Sequence, residues 1–133
     1  MAEEESVDIT IRPQNEFPLM EEYKKKFDIT DDTIFALYPS IYTNHNLTPD
    51  LLEHEMVHIA QQIKVGVKEW VYDFLESPKA RLEFELQAYR TQLRSIKDRN
   101  HRDKVRRQSA QNLSSSLYGN IINYAEAFNE LKV

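Results

Sequence analysis

The stretch from Leu51 to Gln62 sets two histidines, His54 and His58, four residues apart in a largely apolar run, with Glu55 beside the first. On a helix, residues four apart lie one above the other, so both imidazoles can converge on a single ion. Glu55 is rotated about a third of a turn from His54, badly placed for the same ion but able to reach a water next to it. Leu51, Leu52, Met56, Val57, Ile59, Ala60 and Ile63 make the helix apolar enough to demand burial. The polar triplet is therefore expected to face a cleft inside the protein, where unpaired imidazoles are costly. Thr48 as N-cap, Pro49 at the first helical position and Asp50 in the first turn mark the start, and Gly66 marks the end.

At 133 residues the chain is expected to form one domain, 1–133, burying about two-thirds of its unfolded surface. A formal net charge of -5 argues against a general nucleic-acid binder. With no cysteine, neither disulfides nor thiolate metal sites are possible, which fits a reducing compartment. The acidic opening Met1-Ala2-Glu3-Glu4-Glu5 lacks the apolar run of a secretory signal, and no stretch reaches the roughly 18 apolar residues of a membrane span. A cytoplasmic protein with no membrane partner is the expectation.

Residues up to Ser6 read as disordered. The alternation from Val7 to Arg12 predicts a half-buried strand, and Leu19, Met20, Tyr23 and Phe27 predict a short amphipathic helix with Lys24, Lys25 and Lys26 on its solvated side. Thr33–Tyr38 and Ile41–Asn44 read as short strands around Pro39-Ser40. Val67–Leu75 predicts a helix, Ser77-Pro78 a break, and Ala80 to about Arg99 a further helix. Basic residues dominate Arg90–Arg107, more simply a solvated surface than an anion-binding patch. Ser114-Ser115-Ser116 interrupts or begins a helix, and Leu117, Ile121, Tyr124, Phe128 and Leu131 follow helical spacing. The expected fold class is α+β: a small, mostly antiparallel sheet of two to four short strands packed on the histidine helix and further helices. A helical C-terminal extension covers 100–133. The strand nearest the cleft is a candidate edge for an extended peptide.

Two imidazoles, a third ligand and a carboxylate that takes a proton from water are the parts of a zinc hydrolase site. A histidine six residues after the second, with a glycine midway, is one source of the third ligand, but Lys64 and Gln61 occupy those places. A carboxylate from a following helix is another. Glu85 offers it, with Ala88 three residues on to allow close helix approach, and Glu83 competes from a different helical face.

In this order the motifs resemble the gluzincin metallopeptidases, particularly their minimal single-domain bacterial and phage-type members. Leu51-Leu52, His54, Glu55, His58, Gln61, the aromatic segment Trp70–Phe74, Glu85, Ala88 and Tyr89 carry the resemblance, which covers roughly residues 41–93. It implies a zincin-like fold, one zinc ion held by His54, His58 and Glu85, and Glu55 as general base and proton shuttle. The expected function is zinc-dependent hydrolysis of peptide bonds in a peptide or protein substrate. The alternative is a non-catalytic binding or assembly protein in which zinc pins two helices. Tyr42, Tyr89, Tyr118, Tyr124 and His101 are candidate oxyanion donors, His45 a candidate cleft residue, and Gln61 a candidate support for the ligands. A tail that blocks the cleft is a further possibility.

Overall fold

The computed structural model describes residues 8–133. The residues up to Ser6, and Val7 of the first expected strand, lie outside them. The fold is α+β. Three short strands, β1 (Thr10–Arg12), β2 (Phe35–Leu37) and β3 (Ser40–Tyr42), form a sheet in the order β1-β3-β2. It is mixed: β1 runs parallel to β3, with Ile11 opposite Ile41, and β2 runs antiparallel, with Ala36 opposite Ile41. β3 is central and wholly buried. All three residues of β1 are exposed, so the half-buried pattern expected there does not hold. Among the described residues the extensive contacts of β1 are with β3 alone.

Six helices follow from local signals: α1 (Met20–Lys24), α2 (Pro49–Val65), α3 (Val67–Glu76), α4 (Pro78–Ser95), α5 (Arg99–Leu113) and α6 (Tyr124–Glu130). Gly66, at φ 98°, ends α2 in a conformation other residues resist. Thr48 holds the N-cap position, but its hydroxyl donates to Asp50 Oδ1 at 2.8 Å instead of capping a backbone N–H. The break expected at Ser77-Pro78 falls at Ser77, whose extended backbone separates α3 from α4. Pro78 already belongs to α4 and sits in its first turn, and the start of that helix is fixed by Ser77 accepting from Ala80 N. The helix expected to run on to Arg99 stops at Ser95, and Asp98 restarts the chain as α5 by accepting from His101 N.

One continuous helix over Leu117–Leu131 is likewise overturned. Gly119 at φ 82° and Asn120 at φ 58° are left-handed, which no right-handed helix can pass through. The chain makes a single 3-10 turn at Ser116–Tyr118 and resumes as α6 after Asn123, which accepts from Glu126 N.

Two cores result. The first is aromatic: Phe17 stacks on Phe35 at 4.1 Å and Trp70 on Phe74 at 4.9 Å, with Tyr23, Phe27 and Tyr42 packed around them. The second joins Leu86, Tyr89 and Leu93 of α4 to Leu113 of α5 and to Ala127 and Leu131 at the end of the chain. The basic stretch is divided between helices and partly used as ties. Arg90 donates to Glu130, Arg102 to Ile96 O, and Arg106 to Phe128 O with its guanidinium 3.6 Å above the Phe128 ring. Among the described residues no helix is long and apolar enough to cross a membrane.

The free edge of β2 meets α2. There Gln62, fully buried, donates to Ala36 O at 2.9 Å and accepts from Tyr38 N at 2.6 Å. Its amide thus stands where a fourth strand would pair. By strand alternation the next outward-facing backbone group on that edge belongs to Ile34, which lines the cleft described below.

Candidate metal centre

α2 turns its polar residues inward. His54, Glu55, His58 and Gln62 are buried together with Ile59, while Leu52 and Ile63 are exposed at 41% and 51%. α4 packs against this face, and Ala88 there is fully buried. Glu85, 3% exposed, reaches across to both imidazoles: Oε1 lies 3.2 Å from His54 Nε2 and Oε2 lies 3.1 Å from His58 Nε2. Glu83 points to solvent, so Glu85 is the carboxylate of the group.

The outer nitrogens fix the tautomers. Gln92 Nε2 donates to the Asp50 carboxylate at 2.7 Å, so its Oε1 faces His54, and His54 Nδ1–H donates to it at 3.0 Å. Gln61 Oε1 accepts from Trp70 Nε1–H, and Gln61 Nε2 donates to Phe84 O at 3.1 Å. His58 Nδ1–H must therefore donate to Gln61 Oε1, at 3.0 Å. Both Nε2 atoms of the neutral rings then carry lone pairs aimed at a carboxylate. Glu85 Oε1 accepts no hydrogen bond despite its contact with His54, because a neutral His54 with its hydrogen on Nδ1 has none to give at Nε2.

Two imidazole nitrogens and a carboxylate so close require a positive charge among them, either a proton or a metal ion. Two ligands on a tetrahedral zinc with bonds of 2.0–2.1 Å stand roughly 3.3 Å apart, close to the two spacings here. The residues fit one metal ion.

Electrostatics agree. Burial alone would push His58 down, but the Glu85 charge and hydrogen bond, then Glu55 and Gln61, carry it up to about 9. Burial would push Glu85 up, yet the charge on His58 and the contacts with both imidazoles hold it well below the carboxylate range. Glu55 is raised by burial and by Glu85, against the pull of both histidines.

The group lies in the wall of a cleft of about 400 Å³. One side is the sheet edge at Ile34–Ala36. Another is α5, which presents the helical stripe His101, Lys104, Val105, Gln108, Ser109 and Asn112. The C-terminal extension therefore builds a wall of the cleft. Tyr89 borders it with its ring 4.4 Å from the His54 ring, and the Tyr89 and Tyr118 hydroxyls bond to each other at 3.0 Å.

Other candidates lie elsewhere. Tyr42 is packed in the aromatic core on β3, its ring 5.5 Å from Phe17, and does not line the cleft. His45 is in an exposed loop, 2.8 Å from Asp32, and faces a separate shallow hollow. Tyr124 is exposed and stacks on Phe128. Gln92 went unpredicted, although it stands seven residues after Glu85, two turns along the same helix face. Comparison with protein-family models, curated proteins and solved structures finds no match for the chain.

Proposed function

We propose that the chain is a zinc-dependent peptidase of gluzincin type. One observation carries the reading: two tautomer-locked imidazoles and an orphaned carboxylate oxygen converge inside a cleft, with a second carboxylate alongside. His54, His58 and Glu85 would hold the ion, and two imidazole nitrogens with one carboxylate suit zinc. Bound there, zinc supplies Lewis-acid activation of a water and of the scissile carbonyl. Glu55 does the proton work. Its raised proton affinity suits a base that takes a proton from water and hands it to the departing amine. Tyr89 and Tyr118 carry two hydroxyl hydrogens and share one mutual bond, which leaves one hydrogen to donate to a developing oxyanion.

The near-complete burial of all four groups is what favours the other reading, a zinc that only ties α2 to α4. Glu55→Gln separates the two. Peptidase chemistry requires turnover to fall by about 10²–10⁴-fold while one equivalent of zinc is retained, read by metal analysis and cleavage of a peptide library. Equal cleavage by variant and wild type would remove the catalytic role.

A further inference from the structure

Beyond the metal ligands the cleft runs into the aromatic core, where Tyr23, Phe27, Trp70 and Phe74 border it. Tyr23 is 5% exposed, packed edge-on to Phe27 and parallel to Phe74 at 5.7 Å. Tyr23 lines the cleft, its hydroxyl makes no hydrogen bond with any described residue, and its oxygen is not a fully enclosed atom. Burial first, and then the Glu85 charge, push its pKa up. A lone hydroxyl in an aromatic wall disfavours an apolar occupant, which would strip it of water, and favours one that hydrogen-bonds.

We propose that this chamber binds a para-hydroxyphenyl group through the Tyr23 hydroxyl, so that the substrate is read at a tyrosine beside the scissile bond. The aromatic wall takes the ring and Tyr23 takes its hydroxyl. Only the word substrate rests on the peptidase reading; the chamber itself does not.

The test uses the full chain with p-cresol and toluene as probes. Binding is followed on the indole N–H resonance of Trp70, the single tryptophan, which borders the chamber and is held by Gln61. We expect p-cresol to bind about fivefold tighter than toluene, and Tyr23→Phe to bring the two affinities together. Equal affinities in the wild type, a preference that survives in Tyr23→Phe, or no effect on Trp70 would overturn the proposal. If the variant fails to fold, the wild-type ranking still decides.

A second arm profiles peptide cleavage by the zinc-loaded protein, where tyrosine should be enriched on one side of the cut. Selective p-cresol binding without any cleavage would sink the peptidase reading and leave the chamber standing. Cleavage without a tyrosine preference would leave the peptidase reading standing and sink the claim that the chamber reads the substrate.

Discussion

His54 and His58 each give Nδ1–H to a glutamine oxygen rather than to a carboxylate, so the orienting groups add no charge to the centre. Gln92 is itself fixed by Asp50, which makes it a relay between the start of α2 and a ligand on the same helix. Replacing Gln92 by Leu frees His54 to rotate, and metal affinity is expected to fall by about 10–100-fold, measured by competition with a chelator. The centre also sets how the metal-free protein responds to pH. His58 is raised from 6.5 to about 9, so folding favours its protonated form. That stability is complete below pH 6.5 and is lost as pH climbs through about 9. Glu55, also raised, acts in the same direction, whereas Glu85 is held low and loses its contribution only on acidification below 4.5. The metal-free protein should therefore melt at progressively lower temperature from pH 6.5 to pH 9. Chelator-treated samples in a thermal-shift series check this, and a flat profile would contradict the coupling.

At the scale of elements, spacing was a good guide where one residue type has one physical use. Histidines four apart on an apolar helix, and a glutamate followed by a small residue, were enough to pick out His54, His58 and Glu85. Gln92 and the α5 stripe were not legible, because an amide or lysine on a helix face looks the same whether it meets solvent or a cleft. The apolar residues of α2 misled in one respect: they are partly outside, since the buried face is the polar one. Left-handed residues at Gly119 and Asn120 cut a stripe that periodicity alone would continue. The tail is packed into the second core. α5 places Leu113, fully buried, against α4, and α6 leads into Leu131, also fully buried. Leu113→Ala should cost about 2–5 kcal/mol in denaturant unfolding. Truncation after Asp98 should abolish cooperative unfolding, whereas a folded, more active fragment would mean that the tail serves as a cap.

Across the whole molecule, His54 and His58 of α2 meet Glu85 of α4 where these two helices pack on each other. α2 faces the sheet and α4 anchors the second core. Metal bound only by the folded chain stabilises it by mass action, by about 2.7 kcal/mol when free metal is a hundred times its dissociation constant. Chelation should lower the melting temperature and speed amide exchange in α2 and α4 before it does so in β1. Uniform loss of protection would mean that the centre does not organise the domain. The amide of Gln62, lodged against Ala36 and Tyr38, bears on another property of the molecule. A short sheet invites neighbouring copies to extend it into fibrils, and here one rim is already filled by the protein's own side chain. Among the described residues the opposite rim is the three-residue β1, which carries Arg12. Removing the Gln62 amide should thus first be felt as a tendency of concentrated protein to aggregate.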